Sequence, residues 1–183
     1  MRTDLSKFNN AWYAHGRASA SRVAWYFVNR FVFNSYVLLP YAAKRSVLRA
    51  FGAKVGQNVI IKPNVNIKYP WKLQIGDNTW VGEGVWIDNL DQVLIGSNAC
   101  ISQGALILSG NHNFSKTTFD LIVKPIIISD GAWIGAKSIV TQGVNVGSHA
   151  VLAVNSVASS DLEEYWIYRG NPCQKINERR ITE

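Results

Sequence analysis

Val55-Gly56-Gln57-Asn58-Val59-Ile60 is the first of a series of six-residue repeats that continues to about Ala158. The leading residues of the repeats are Val55, Ile61, Ile67, Ile75, Val81, Ile87, Ile95, Ile101, Ile107, Ile128, Ile134, Val140, Val146, Leu152 and Ala158. Fourteen of these fifteen are Val, Ile or Leu, and glycine follows six of them, at Gly56, Gly76, Gly82, Gly96, Gly135 and Gly147. A repeat of this kind determines the whole architecture and therefore outweighs any local pattern.

A second regular position lies two residues before the leading residue. Its members are all small or aliphatic: Val59, Val65, Leu73, Thr79, Val85, Val93, Ala99, Ala105, Ile126, Ala132, Ser138, Val144, Ala150 and Ser156. Two such positions suit a short strand with both side chains facing inward, followed by a corner where glycine tolerates unusual dihedrals. Three strands close one triangular coil, and stacked coils share a core. The repeat predicts an all-β solenoid, a parallel β-helix, over residues 55–160.

The interruptions of the repeat predict where the coils are irregular. The steps from Ile67 to Ile75 and from Ile87 to Ile95 are eight residues long, which indicates a two-residue bulge at one corner of each coil. The step from Ile107 to Ile128 exceeds one repeat by fifteen residues and includes the polar, turn-forming segment 109–116. We therefore predict a loop excursion at about 109–124, and long loops on a rigid scaffold usually carry function.

The flanking segments are not repetitive. Residues 1–54 are predicted to form a helical, aromatic-rich N-terminal segment, and residues 161–183 a short C-terminal helix or tail. The most apolar stretch, residues 23–43, is interrupted by Asn29, Arg30, Asn34 and Pro40, which excludes a membrane-spanning helix. Packing on the rest of the protein and peripheral contact with a membrane both remain open, the second because Arg22, Arg30, Lys44, Arg45 and Arg49 accompany the aromatic residues.

Charge and cysteine content narrow the class of protein. The net charge of +7 favours an anionic partner without identifying it. Nucleic acid is disfavoured, because neither zinc-finger spacing nor a recognition-helix pattern is present. Cys100 and Cys173 match no metal or redox spacing, which suggests free thiols in a reducing compartment. The N-terminal residues lack the apolar core of a signal peptide. We expect a cytoplasmic location, at the membrane periphery if the N-terminal segment touches lipid.

Several stretches carry a family resemblance. They are Phe51–Gly56, Gly82–Asn89, Cys100–Ala105, Gly110–Asn113, Val123–Ile126, Gly131–Ala136 and Gly170–Pro172. With the repeat, they resemble the hexapeptide-repeat acyltransferases, and within them the colanic-acid-type O-acetyltransferases, which are related to the galactoside and maltose acetyltransferases. The resemblance implies left-handed coils, a homotrimer with active sites between neighbouring β-helices, and acyl transfer from acetyl-coenzyme A, without a metal, to a saccharide destined for the cell envelope.

The resemblance also implies roles for individual residues. His112, in the excursion, matches the catalytic histidine. An imidazole can take the proton of a weakly nucleophilic sugar hydroxyl, and direct transfer is preferred because no Ser or Cys nucleophile lies beside a base. Acceptor-binding residues are predicted to be Glu83, Asp88, Asn89, Asn111 and Trp133. Donor-binding residues are predicted to be Gly135, Ala136, Ala153, Val154, Ser159 and Lys175.

Two other interpretations remain. A trimeric carbonic anhydrase on the same fold needs three histidines that converge on zinc, and His15, His112 and His149 occupy unrelated contexts. A non-catalytic or degenerate β-helix scaffold with impaired donor binding is the stronger alternative. It rests on Leu152–Ser156, which stands where the relatives have a glycine-alanine-glycine run.

Overall fold

The computed structural model describes residues 2–182 of the chain, and helical elements occupy the N-terminal part. A 3-10 turn at Leu5–Lys7 is followed by helix α1 (Ser19–Val28), a π-helical turn that continues it (Asn29–Phe33), and helix α2 (Tyr41–Ala50). None of the helices in the described residues has the length and hydropathy needed to cross a bilayer.

Three parallel sheets form the sides of a solenoid. The first contains β1 (Lys54–Val55), β4 (Leu73–Ile75), β7 (Val93–Ile95), β12 (Ile126–Ile128) and β15 (Asn145–Val146). The second begins with β2 (Ile60–Ile61), β5 (Trp80–Val81), β8 (Cys100–Ile101), β13 (Trp133–Ile134) and β16 (Val151–Leu152). The third contains β3 (Asn66–Ile67), β6 (Trp86–Asp88), β9 (Leu106–Leu108), β14 (Ile139–Thr141) and β17 (Val157–Ala158). The predicted parallel β-helix is confirmed.

The core consists of the two predicted inward positions. Every leading residue and every residue two before it is buried, and none is more than 9% exposed. The polar members are bonded to backbone carbonyls: Thr79 Oγ1 donates to Gly96 O at 2.7 Å and Ser138 Oγ to Ala153 O at 2.7 Å. Satisfied hydroxyls remove most of the cost of burying a polar group.

The repeated glycines serve a different purpose from the one expected. None of the six glycines that follow a leading residue has a positive φ; asparagines such as Asn58 and Asn78 take the left-handed corner positions instead. A Cβ added to Gly135 would lie 2.6 Å from Val154 N in the next coil. These glycines are therefore required by the close stacking of coils and not by their dihedrals.

Helix α2 closes the N-terminal end of the solenoid. Each coil donates its N–H groups to the carbonyls of the next coil, for example Gly56 N to Ile75 O at 2.8 Å, so the carbonyls of the first coil lack donors from a preceding coil. Basic side chains of α2 supply them: Arg49 Nε donates to Val55 O, Arg45 to Val59 O and Lys44 Nζ to Ile61 O. Burial lowers the pKa of the Lys44 ammonium.

A β-hairpin, in place of the expected C-terminal helix or tail, closes the other end. Strand β18 (Trp166–Gly170) lies parallel to β16, and β19 (Cys173–Glu178) lies antiparallel to β18. The last coil has no following coil to accept from its N–H groups, and the hairpin supplies the acceptors. Ala153 N, for example, donates to Tyr168 O at 2.8 Å.

Candidate active site

All irregular segments of the solenoid lie at one corner, between the third and the first sheet. A 3-10 turn at Pro70–Lys72 and the segment 89–92 account for the two predicted bulges. The predicted excursion begins at the same corner, one coil further on, and forms an antiparallel hairpin of β10 (Gly110–His112) and β11 (Leu121–Val123). We call this side of the molecule the irregular corner.

His112 lies at the end of β10 with a defined orientation. Its Nδ1 is 2.9 Å from the backbone oxygen of Phe119, and its ring stacks on the Phe119 ring at 4.4 Å and 10°. Phe8 covers the imidazole from a second direction, at 5.6 Å. Since a carbonyl oxygen can only accept, Nδ1 carries the proton, and the lone pair of the neutral ring is on Nε2.

The N-terminal segment binds along the irregular corner. Asp4 N donates to Thr117 O in the hairpin at 2.9 Å, and Tyr13 Oη donates to Leu90 O at 2.6 Å. Lys72 Nζ donates to the same Leu90 oxygen and to Tyr13 Oη. Burial raises the pKa of the Tyr13 hydroxyl and lowers that of the Lys72 ammonium. These contacts hold Phe8 against His112.

A cavity of about 550 Å³ opens between α1 and the third sheet. Its lining combines basic, amide and aromatic groups, notably Arg22, Asn29, Arg30, Asn66, Lys68, Trp86 and Asp88. The ammonium of Lys68 lies 2.9 Å from Asp88 Oδ1 and forms an ion pair with it in the cavity lining. Arg22 Nε is buried without an acceptor. A buried donor without a partner, beside an ion pair, favours a polar ligand in this cavity. We call it the acceptor cavity, after the predicted acceptor residue Asp88.

The acceptor cavity adjoins the base of the hairpin. The backbone oxygen of Asp88 accepts from Ser109 N at 3.2 Å and from Ser109 Oγ at 3.0 Å. Ser109 is three residues before His112. The acceptor cavity and His112 therefore lie on the same side of the molecule.

The other predicted acceptor residues lie elsewhere. Asn89 is fully buried, and its amide bonds both Tyr69 N and Tyr69 O, so it fixes the corner and cannot meet a ligand directly. Glu83 is exposed at the opposite end of the third sheet, where its carbonyl accepts from Gly104 N. Asn111 is exposed on the hairpin, and its Oδ1 accepts from His112 N.

A second cavity, of about 600 Å³, lies along the second sheet. It is mostly apolar and is lined by four predicted donor-binding residues, Gly135, Ala136, Ala153 and Val154. Trp133, which was predicted to bind the acceptor, also lines this cavity; its ring is half exposed, and its Nε1 donates to Ser102 Oγ at 2.8 Å. We call this cavity the donor groove, after the predicted donor-binding residues.

The basic residue on the lining of the donor groove is Arg179 and not the predicted Lys175. Nη1 of Arg179 donates to Gly131 O and His149 O, and the guanidinium has further N–H groups that can donate to a ligand. Lys175 instead pairs with Glu163 at 2.6 Å and covers the Trp166 ring, and Ser159 follows β17 on the third sheet. Neither Lys175 nor Ser159 lines the groove.

The three histidines have separate surroundings. His15 lies 3.4 Å from Tyr69 Oη, and His149 stacks on Tyr165 at 4.7 Å. Among residues 2–182, no three His, Cys, Asp or Glu side chains form a group that could hold a metal.

Comparison with known proteins decides the family. Residues 125–157 match the model for the hexapeptide repeat of succinyl-transferase. The putative colanic acid biosynthesis acetyltransferase WcaF of Escherichia coli is 34% identical over 98% of this chain and 99% of its own length. The chain belongs to the hexapeptide-repeat acetyltransferases. The predicted enzyme class, acyltransferase, is thereby confirmed.

More distant relatives share the fold of this acetyltransferase. The galactoside O-acetyltransferase of E. coli is 27% identical over 74% of this chain and 68% of its own. A hexapeptide-repeat acetyltransferase from Vibrio cholerae, solved in complex with acetyl-coenzyme A, superposes with a TM-score of 0.82 at 22% identity, covering 92% of each chain. The family's left-handed β-helix is the fold of this chain.

Several residues of the acetyltransferase's cavities were not predicted from the sequence. Arg22, Asn29 and Arg30 come from α1 and the π-helical turn, and they meet Asn66 and Lys68 only through tertiary packing. The eight-residue step after Ile67 was a signal for an unusual corner there, but it did not identify which side chains would face a ligand.

Proposed function

We propose that this acetyltransferase transfers an acetyl group from acetyl-coenzyme A to a hydroxyl of a saccharide, with His112 as general base. The observation that carries the proposal is the 2.9 Å contact between His112 Nδ1 and Phe119 O, which leaves Nε2 as the basic nitrogen. The names of the relatives, a colanic acid biosynthesis acetyltransferase and a galactoside O-acetyltransferase, support a saccharide acceptor.

The acceptor cavity suits a sugar. Trp86 offers a half-exposed ring for the apolar face of a pyranose, and the Asp88 carboxylate can accept from a hydroxyl. Arg22, Arg30 and Lys68 would additionally favour an acceptor with an anionic group.

The donor groove suits the long, narrow arm of coenzyme A. Its floor is formed by Gly135, Ala136 and Ala153, whose small side chains leave room for a chain of methylene and amide groups, and Trp133 forms a wall. Arg179 is the basic residue on the lining that can meet a phosphate. Val154 is 63% exposed and does not fill the groove, which supports donor binding despite the atypical sequence of this coil.

The reaction needs no covalent enzyme intermediate. Nε2 of His112 takes the hydroxyl proton while the oxygen attacks the thioester carbonyl, and the carbon–sulfur bond then breaks. The imidazolium returns the proton to the leaving thiolate, giving an acetyl ester and free coenzyme A. The Phe119 carbonyl stabilises the imidazolium through Nδ1.

A trimer would complete this site. The donor groove follows the second sheet, whereas His112 lies at the irregular corner, so the face of the third sheet separates them. At about 3.3 Å per residue, one six-residue side spans roughly 15–20 Å. We propose that His112 and the acceptor cavity of one chain face the donor groove of its neighbour in a homotrimer.

The test measures release of coenzyme A from acetyl-coenzyme A with a panel of sugars. His112→Ala is expected to lower kcat by about 10²–10⁴-fold with little change in thermal stability. His149→Asn is the matched control, since φ at this position is 59° and asparagine tolerates that region. Full activity of His112→Ala would refute the mechanism, and a wild-type protein that binds no acetyl-coenzyme A would favour the scaffold alternative.

A further inference from the structure

Exposed apolar side chains lie along α1, the π-helical turn and the segment that follows. We call it the N-terminal apolar surface; its members are Val23, Tyr26, Phe27, Phe31, Tyr36, Val37 and Leu38. Each is at least half exposed, and Leu38 is 85% exposed. A cluster of seven exposed apolar side chains is typical of an interaction site.

The fold itself does not use this surface. The same segment packs on the core through its opposite side. There Trp25 and Phe33 are 2% and 0% exposed, and Trp25 Nε1 donates to Ile67 O. Residues 23, 27 and 31 follow one another at intervals of about one helical turn. Their side chains therefore lie on one side of α1 and its continuation. The segment is therefore apolar on both sides but packed on only one.

The stretch of sequence that bears this surface carries only positive charges. Residues 5–76 contain eleven Lys or Arg and no Asp or Glu, whereas the rest of the chain contains eight Lys or Arg against twelve Asp or Glu. Lys44, Arg45 and Arg49 are used to cap the first coil, but Arg17, Arg30 and Lys62 remain exposed. The end of the molecule that bears the apolar surface is thus strongly basic.

We propose that the N-terminal apolar surface docks this enzyme on an anionic lipid bilayer. Exposed Phe, Tyr and Leu side chains insert at the headgroup boundary, and the surrounding basic residues are attracted to acidic headgroups. A second copy of the chain is a poorer occupant, because two copies joined through this surface would bring two basic regions together.

Docking has a consequence for the acceptor, which rests on the proposed function. Arg22, Tyr26 and Arg30 line the acceptor cavity and belong to the same helical segment as the apolar surface. Contact of that segment with a bilayer therefore brings the cavity close to the headgroups. A saccharide acceptor displayed at the membrane would then be within reach, and the basic lining suits one attached through phosphate.

The experiment is co-sedimentation of the full-length protein with vesicles of phosphatidylcholine, with and without phosphatidylglycerol. We expect binding to the anionic vesicles that falls as salt is raised, and little binding to the neutral ones. Phe31→Ser/Leu38→Ser is expected to lower the bound fraction by about tenfold or more, since it removes two inserting side chains. The matched control, Ile176→Ser/Ile181→Ser, removes two exposed apolar residues from the C-terminal region and should bind as wild type.

Three results would overturn the proposal. The wild type could remain in the supernatant with anionic vesicles at low salt, or the control could lose as much binding as Phe31→Ser/Leu38→Ser. A changed oligomeric state of Phe31→Ser/Leu38→Ser in light scattering would instead identify the surface as a contact between copies. Because neither Phe31 nor Leu38 lines the acceptor cavity or the donor groove, coenzyme A release in solution should be retained, and failure of the His112 test would leave the vesicle result unaffected.

Discussion

Mixed trimers test whether one active site is built from two chains. One partner carries His112→Ala and keeps its donor groove; the other carries Ala136→Trp, which fills the groove with a large side chain, and keeps His112. Each variant alone is expected to be nearly inactive. Co-expression with two different affinity tags allows trimers that contain both kinds of chain to be purified.

The expected activity follows from the geometry. In a cyclic trimer, a site between neighbours is intact when a chain with His112 faces a chain with an open groove. Every purified mixed trimer contains two chains of one kind and one of the other, so a single one of its three sites, about one third of the total, is intact. A site contained within one chain would be intact in none, because every chain carries one of the two defects. The His112→Ala background, about 10²–10⁴-fold below wild type, is far smaller than one third.

The assay is coenzyme A release with the acceptor that gives the highest wild-type activity in the sugar panel. A mixture of wild-type and His112→Ala chains is the calibration, since about half of its sites retain the histidine. Mixed trimers that stay at the His112→Ala background, while the calibration behaves as calculated, would refute a site shared between chains. The bound donor would then have to extend across the face of the third sheet to reach His112 of the same chain.

Three further substitutions probe separate parts of the structure. Asp88→Asn weakens hydrogen bonding to an acceptor hydroxyl, and we expect steady-state kinetics to show an acceptor KM raised about tenfold with the donor KM unchanged; equal effects on both would contradict an acceptor role. Phe119→Leu removes the ring that stacks on His112, so kcat should fall about tenfold at unchanged melting temperature, whereas unchanged kcat would show that the hairpin alone orients the imidazole. Arg49→Met leaves two carbonyls of the first coil without a donor, and urea unfolding should show a loss of about 1–3 kcal/mol; a loss within error would mean that water replaces the cap.

The solenoid was predictable because its core is local in sequence. Each strand contributes two inward positions within three residues, and the neighbour that covers them is the next repeat, so periodicity alone identified the inward-facing core positions of the coils. The excursion was predictable for the same reason, as an interruption of a period. Its hairpin geometry and the stacking of His112 on Phe119 depend on a turn without a periodic signal.

The ends and the acceptor cavity depend on contacts between distant segments. The C-terminal hairpin forms because the last coil requires acceptors for its N–H groups, which no pattern within residues 161–183 reveals. Asn89 was predicted as a ligand contact from its polarity, but a buried corner amide also needs partners, and Tyr69 provides them. Lys68 and Arg22 are remote in sequence and meet only when α1 packs on the third sheet.

The two halves of the proposed reaction therefore depend on different kinds of structure. The donor groove is built from regular repeats, in which Gly135 has no space for a side chain because the next coil lies against it, so the groove can vary little without disturbing the stacking. The irregular corner carries insertions in three successive coils and contacts the N-terminal segment. Its lining can therefore change while the strands of the three sheets remain paired. We therefore propose that acceptor specificity is a property of the irregular corner. Substitution of Lys68 by serine should change which saccharides are acetylated, with the KM for acetyl-coenzyme A unaltered; a parallel change in donor KM would show that the two halves are coupled.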